Sequence, residues 1–169
     1  YNIEQKKNKT INNTNNYIKN KLIKNLNLSP IKVEMHEKEG VWIPELIFGH
    51  LLTSSNYDKN KIKHVGGKNG YGAKLTNIYS KHFYLETVDA VNGKKYRQTW
   101  EENMSKKGKP SITKNTQKPY TLVKYTPDYN RFGLENIEKS MFEIMHRRAY
   151  DLAACTGNKV GIYFNGQKL

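Results

Sequence analysis

The residues best suited to chemistry form a glycine-rich segment, Val65-Gly-Gly-Lys-Asn-Gly-Tyr-Gly-Ala-Lys-Leu75. Four of the seven positions from 66 to 72 are glycine, which costs backbone entropy and therefore needs a physical reason. One such reason is close approach of the backbone to an anion, because the amide N–H groups of such a loop can converge on it. A helix beginning near Gly72 would point its positive end at the same place, and Lys68 and Lys74 would add charge. The segment therefore predicts phosphate binding.

Two better-known phosphate-binding patterns do not fit this segment. A P-loop places Lys and then a hydroxyl residue directly after its last glycine, whereas Gly72 is followed by Ala73-Lys74-Leu75. The dinucleotide-binding pattern needs a third glycine where Leu75 stands. What remains is G-x-x-G-x-G from Gly67 to Gly72. On this pattern alone, a flexible surface loop capped by a helix is an equally good interpretation.

Two predicted helices flank the glycine-rich segment. Apolar spacing and Pro44 in the first turn predict a helix over residues 43–52, and the polar residues 53–56 are expected to end it. Residues 57–72 read as a loop. The stretch after them, residues 73–80, predicts a second helix, whose inward-facing residues are Leu75, Ile78 and Tyr79.

The rest of the chain predicts mainly strands. Residues 82–91 and 94–102 form a hairpin around Asn92-Gly93, a pair typical of a two-residue turn with positive φ at both positions. The other predicted elements are a loop at 105–119, a strand at 120–126, a helix at 134–154, and a strand at 160–164 closed by Asn165-Gly166. This order indicates an α+β layer of helices on a largely antiparallel or mixed sheet.

The flanks and later motifs resemble the ATP-binding domain of eukaryotic-type (type IIA) DNA topoisomerase II. The resemblance covers about residues 30–169. It rests on stretches in the same order as in that family, among them Gln98-Thr-Trp-Glu-Glu-Asn-Met104, which is similar to its QxWxxNM strand. The other matching stretches are 46–58, 65–80, 147–151 and 163–169.

The resemblance implies the GHKL (Bergerat) ATPase fold, a two-layer α+β sandwich with helices on a mixed, largely antiparallel sheet. It assigns the nucleoside side of ATP to Ser54, Ser55 and Asn56, whose hydroxyls and amide suit ribose or base edges. It assigns the triphosphate to Gly67, Lys68, Asn69, Gly70, Tyr71, Gly72, Ala73 and Lys74. Lys68 stands where the family usually has Arg, so the charge is kept but the bidentate fork is lost.

The resemblance also implies ATP and Mg²⁺ as cofactors, double-stranded DNA as substrate, a homodimer, and a nuclear location. The implied activity is passage of one DNA duplex through a transient double-strand break in another, driven by ATP-dependent closure of a clamp. The sequence has no counterpart of the family's general-base Glu, magnesium-binding Asn or DNA-cleaving Tyr, so no catalytic or metal-binding residue is predicted. Because it begins with Tyr1 rather than Met, we expect it to be part of a longer protein.

The composition is strongly basic, with 29 Lys and Arg against 15 Asp and Glu and a formal net charge of +14. Six Lys and one Glu lie in the first 30 residues, a stretch dominated by Asn, Lys and Ile. We interpret residues 1–29 as a disordered low-complexity insertion or linker and residues 30–169 as part of the ATPase domain. A basic surface suits ATP phosphates and DNA alike, so charge does not choose between them.

The remaining residues offer little for other chemistry. Cys155 is the single cysteine, which excludes an internal disulfide and indicates a reducing compartment. The five His show no metal-ligand spacing, and no apolar run approaches the ~20 residues of a membrane span, so no membrane partner is expected. Aromatic residues at strand spacing are expected to pack in the core and pair across strands rather than stack on bases; they are Tyr96, Trp100, Tyr120 and Tyr125.

Two other functions stay open at this stage. One is a basic nucleic-acid-binding module without a nucleotide site, and the other is a different GHKL ATPase of the MutL-like or chaperone type. Bacterial gyrase fits less well, because that branch usually has a Gly-Gly-Lys-Phe type segment where Ser54 to Tyr57 stand.

Overall fold

The computed structural model describes residues 31–51, 70–157 and 160–169. Within these ranges the chain forms a five-stranded sheet with two helices before it, and a long helix and a small hairpin after it. In chain order the elements are α1 (Ile43–Gly49), α2 (Gly72–Ile78), β1 (Ser80–Asp89), β2 (Lys94–Glu101), β3 (Lys106–Lys107), β4 (Ser111–Lys114), β5 (Tyr120–Pro127), a 3-10 helix (Tyr129–Phe132), α3 (Lys139–Thr156), β6 (Tyr163–Phe164) and β7 (Gln167–Lys168).

The sheet is centred on β1, with strand order β3-β2-β1-β5 and β4 also paired with β2. Every pairing between the described strands is antiparallel. Phe83 of β1 lies opposite Trp100 on one side and Tyr125 on the other. Because side chains alternate along a strand, these three residues share one face of the sheet. The α+β class predicted from the sequence is confirmed.

The hydrophobic core lies on the sheet face that α1 covers. The rings of Phe83 and Trp100 meet edge to face at 5.8 Å, and Phe48 of α1 packs on Phe83 at 6.0 Å. The buried members of the core are Val33, Phe48, Phe83, Leu85, Tyr96 and Trp100. Core packing is thus confirmed for Tyr96 and Trp100, and Tyr125 is half-buried against the same cluster.

The opposite face of the sheet holds a buried carboxylate, Glu86 of β1. Tyr84 donates a hydrogen bond to it at 2.7 Å, Tyr120 donates a second, and Arg97 binds it at 2.7 Å. The Lys95 ammonium lies 3.3 Å away. Tyr120, expected in the core, therefore packs on the other face, because the register places Tyr120 beside Val88 and Glu86 beside Leu122.

The two Asn-Gly pairs form different turns. Asn165 and Gly166 both have positive φ, and the strands close directly around them with Phe164 opposite Gln167, as predicted. In the first hairpin only Gly93 has positive φ, and Asp89 pairs with Lys94 across a four-residue loop. The prediction of a two-residue turn there is wrong. The Asp89 carboxylate holds the longer loop by accepting hydrogen bonds from the backbone N–H groups at positions 91 and 92.

Several predicted element boundaries are also wrong. Helix α1 ends at Gly49 rather than at residue 52, and Leu51 beyond it is exposed. The predicted loop at 105–119 contains β3 and β4, which extend the sheet by pairing with β2. Helix α3 begins at Lys139 rather than at residue 134, and it has no buried residue. The strand predicted at 160–164 begins at Tyr163 and is β6.

No helix within the described ranges is long and apolar enough to span a bilayer.

Candidate functional site

The predicted site divides between the described and the undescribed parts of the chain. Six of its residues lie outside the described residues, and for these the predictions remain untested: Ser54, Ser55, Asn56, Gly67, Lys68 and Asn69. The other five form the approach to α2 and its first turn: Gly70, Tyr71, Gly72, Ala73 and Lys74.

The chain enters α2 through a glycine in the left-handed region. Gly70 has φ of +67°, a conformation that side chains other than glycine rarely adopt. Tyr71 then takes helical angles, and the Leu75 amide donates to its carbonyl at 2.8 Å to start the helix. A Cβ added at Gly72 would meet nothing within 4 Å, so this glycine leaves open space beside the first turn. Glycine thus has a different effect at each position. At Gly70 it permits the positive φ, and at Gly72 it leaves the backbone uncovered.

Lys74 is the charged residue of the site, and it is buried. Its side chain is in the first turn of α2, the residue is 2% exposed, and Nζ donates to the Gly70 carbonyl at 3.0 Å. Burial lowers the pKa of the Lys74 ammonium, because desolvation disfavours the charged form. No ion pair joins it to a carboxylate of the described residues. An ammonium removed from water without a counter-ion is unfavourable, and an anion at this place would relieve that cost.

Asn77 is the second buried residue of α2 and lies three positions after Lys74, on the same helix face. It is 0% exposed, and its Nδ2 donates to the Phe48 carbonyl in α1 at 3.1 Å. Its Oδ1 is also buried and has no hydrogen-bond partner within the described ranges. The inner face of α2 is therefore polar.

The outer face of α2 is apolar, which reverses the usual arrangement. Leu75 is 46% exposed, and Tyr71 and Tyr79 are exposed as well. The prediction that Leu75 and Tyr79 face inward is therefore wrong; Ile78, the third residue of that prediction, is half-buried. The hydrophobic pattern failed here because Lys74 and Asn77 are the buried residues of the helix, whereas Leu75 is exposed and Tyr79 lies at the helix end with its ring 5.2 Å from that of Phe132.

The C-terminal end of α2 is fixed to the sheet. Asn103, in the turn between β2 and β3, donates through Nδ2 to the Ile78 carbonyl at 2.9 Å. The backbone amide of Asp128 donates to the Tyr79 carbonyl at 2.8 Å. Sequence reasoning assigned no role to Asn77 or Asn103. The sequence feature that could have pointed to Asn77 is its position: it is an asparagine inside a predicted helix, about one turn after Lys74.

Comparison with known proteins gives consistent matches. The chain is 52% identical over 140 residues to the DNA topoisomerase 2 of Candida glabrata and 48% identical over 140 residues to that of Arabidopsis thaliana, each match covering 82% of this chain. The structure matches the ATPase region of Saccharomyces cerevisiae topoisomerase II bound to ICRF-187 (dexrazoxane), with a TM-score of 0.78, 48% identity, and coverage of 83% of this chain and 37% of that one.

The chain belongs to the DNA topoisomerase 2 family.

Membership in the topoisomerase 2 family confirms the GHKL ATPase fold expected from the motifs, because the structural match is to an ATPase region. The chain spans 10% of the length of those two topoisomerase 2 sequences. A third structure of the family, the ATPase and transducer domains from Balamuthia mandrillaris, matches with a TM-score of 0.77 and 46% identity over 83% of this chain. No family model matches the sequence.

Proposed function

We propose that this chain is the ATP-binding part of a DNA topoisomerase II, in which ATP-driven clamp closure lets one DNA duplex pass through a break in another. The observation that carries the proposal is the buried ammonium of Lys74, which lies beside Gly70 at the start of α2 and has no carboxylate partner among residues 31–51, 70–157 and 160–169. A triphosphate supplies the anion that this ammonium lacks. The family match supports the same function, because the matched structures are ATPase regions.

The residues of α2 would act on the phosphates in two ways. The Lys74 ammonium would exchange its bond to the Gly70 carbonyl for a phosphate oxygen, which is a stronger charge-assisted contact. Gly72 would let phosphate approach the helix start, because no side chain covers that backbone. Lys68 and Asn69 would extend this cradle, and Ser54, Ser55 and Asn56 would contact the nucleoside, as the resemblance implies.

Magnesium is part of the proposal only through the nucleotide. A bound Mg²⁺ neutralises phosphate charge and orients the phosphate oxygens. In the described ranges, no group of three His, Cys, Asp or Glu side chains is placed to hold a metal ion. We therefore derive no step through the ion from these residues.

We propose double-stranded DNA as the substrate of the whole protein, a homodimer as its working form, and the nucleus as its location. The family match supports the first two, and the formal net charge of +14 suits a protein that meets DNA. The nuclear location rests on the resemblance to eukaryotic enzymes alone.

The test is the substitution Lys74→Met in the whole protein that carries this sequence. Methionine keeps most of the volume and removes the charge, so ATP affinity should fall at least about tenfold, the effect of losing a contact of about 1.4 kcal/mol. Resistance to urea should stay equal or rise, because a buried unpaired charge is removed. Binding is measured by calorimetry with a non-hydrolysable ATP analogue, and Lys139→Met, at an exposed lysine, is the control.

The same variant separates the nucleotide site from a DNA-binding module. A nucleotide site predicts that Lys74→Met leaves DNA affinity nearly intact while ATP affinity falls. Reduced DNA affinity together with unchanged ATP affinity would favour the module and reject the proposal. Decatenation by the whole wild-type protein distinguishes a topoisomerase from a MutL-like or chaperone ATPase.

A further inference from the structure

We propose that Asn77 is a positioning residue, which sets ATP affinity by holding the lysine-bearing start of α2 in register with the end of α1. This inference rests on the proposed function, because it concerns the same nucleotide site. It adds a residue that is not expected to touch the nucleotide.

The first observation is that Asn77 joins two separate elements. Its Nδ2 donates to the Phe48 carbonyl at 3.1 Å, across 29 positions of sequence. Phe48 is the last but one residue of α1, so this carbonyl is among those that a helix end leaves without an internal partner. The Asn77 amide therefore caps α1 from the side of α2 and fixes the spacing of the two helices.

The second observation is the position of Asn77 relative to Lys74. The two are the buried residues of α2, one turn apart on the same face. The end of α2 is already held by the bonds from Asn103 and Asp128 to the Ile78 and Tyr79 carbonyls. At its start, the bonds given for Lys74 and Leu75 stay within residues 70–75. Among the described residues, the Asn77 bond to Phe48 is thus the link to α1 that lies nearest to the lysine.

The third observation is that the end of α1 is itself held rigidly. A Cβ on Gly49 would lie 3.2 Å from the Trp100 ring, so the indole packs directly on the backbone beside Phe48. Trp100 is anchored in turn by its edge-to-face contact with Phe83. The hydrogen bond from Asn77 to this fixed carbonyl therefore restrains the position of α2 relative to α1.

The fourth observation is that the buried Asn77 amide is only half satisfied among the described residues: Nδ2 is hydrogen-bonded and Oδ1 is not. Its Oδ1 is buried without a partner within the described ranges, which costs the desolvation of an amide oxygen. An apolar side chain of similar size would avoid that cost. The retained amide is explained if the bond to Phe48 serves positioning.

The experiment is Asn77→Leu in the whole protein, with steady-state ATPase kinetics. The variant loses the bond to Phe48 and also removes the unpaired Oδ1, so urea stability should change little. Misplacement of Lys74 should raise KM for ATP about tenfold while kcat stays within about twofold, the pattern of lost uniform binding. Asn115→Leu, which removes a side-chain amide far along the sequence at the end of β4, is the matched control and should keep the wild-type KM.

Each other outcome decides against the inference. If wild-type protein binds ATP and Asn77→Leu shows unchanged KM, or a kcat reduced in proportion to the unfolded fraction, Asn77 is only structural and the proposed function stands. If wild-type protein binds no ATP, the proposed function fails and the positioning role fails with it. Should the leucine variant not fold, Asn77→Ser, whose hydroxyl ends short of the Phe48 carbonyl, carries the same expectation.

Discussion

Two buried charges, Lys74 and Glu86, differ in how they are neutralised. Glu86 is 8% exposed and has Tyr84, Tyr120, Arg97 and Lys95 around its two oxygens. Lys74 is buried more completely and has one backbone carbonyl. A buried charge with a full set of partners is a structural group whose loss leaves those partners unpaired, whereas a buried charge without them is a candidate for binding a ligand. At the scale of the residue, Glu86 is therefore a structural group, and Lys74 marks the proposed nucleotide site.

Glu86 should make the protein sensitive to acid. Burial by itself raises the pKa of this carboxyl, but hydrogen bonds from Tyr120, Tyr84, Arg97 and Lys95 outweigh it and lower the pKa from 4.5 to about 2. Because the folded-state pKa lies below the unfolded one, the stabilisation is complete above about pH 4.5 and is lost as the pH falls through about 2. The free energy of unfolding should therefore decrease across this window.

The substitution Glu86→Gln tests this assignment by urea titration at several pH values. It should lower the free energy of unfolding at pH 7 by about 2–3 kcal/mol, because charge-assisted hydrogen bonds are lost. It should also flatten the dependence on pH between about 5 and 2. Glu102→Gln is the control, since the Glu102 carboxylate is exposed and pairs with the equally exposed Lys106 at 2.6 Å. An equal decrease in the free energy of unfolding in both variants would show that the hydrogen bonds around Glu86 stabilise the protein no more than an exposed ion pair does.

At the scale of the element, α1 is positioned by the absence of a side chain at its last residue. Gly49 lies against the Trp100 ring, and an added Cβ would be 3.2 Å from both Nε1 and Cζ2. The indole cannot retreat freely, because Phe83 packs against it at 5.8 Å. Close approach, rather than a positive φ, is what requires glycine at this position.

Gly49→Ala should therefore destabilise the protein by about 1–2 kcal/mol, the effect of adding one methyl group to a packed core. The measurement is the urea midpoint at constant slope. Gly72→Ala is the matched control at another helix end: its Cβ meets nothing within 4 Å, so stability should stay equal or rise by up to about 1 kcal/mol. If both variants unfold at the wild-type midpoint, the contact with Trp100 is looser than these distances imply.

The elements also show which features a sequence pattern can predict. Strands β1, β2 and β5 and the 165–166 turn were predictable, because alternation and turn chemistry act locally. The inner face of α2 was not, because it depends on contact between Asn77 and the distant Phe48 carbonyl. The edge strands β3 and β4 were missed for a related reason: residues 105–119 are rich in Lys, Gly and Pro, and they become strands only by pairing with β2.

The same contrast applies to the candidate site. Gly70, Gly72 and Lys74 were proposed as phosphate-binding residues from glycine spacing and charge, both of which are local features of the sequence. The burial of Lys74 and the anchoring of α2 by Asn103 were not visible, since both require the sheet to be folded. Ser54, Ser55 and Asn56 remain predictions from the resemblance.

At the scale of the whole molecule, the reversed polarity of α2 gives the protein two surfaces on one helix. The inner face carries Lys74 and Asn77 toward the proposed nucleotide, and the outer face presents Tyr71 and Leu75, which lie four residues apart. Large contiguous apolar patches mark contacts with other surfaces, and we propose that Tyr71 and Leu75 belong to such a contact. Because both faces belong to one short helix, nucleotide binding on one side would order the contact surface on the other.

We predict that Leu75→Glu uncouples ATP binding from the dimer closure proposed for the whole protein. A charge on the outer face should reduce nucleotide-dependent cross-linking between two copies at least about tenfold, because an unpaired carboxylate would be buried in the contact. ATP affinity should change less than about twofold, since Leu75 points away from Lys74. Val91→Glu is the matched control, an apolar residue 86% exposed in the loop between β1 and β2, and it should cross-link like wild-type protein. Undiminished cross-linking of Leu75→Glu with the ATP analogue bound would place the closing surface elsewhere on the protein and leave the exposed leucine without a role in the clamp.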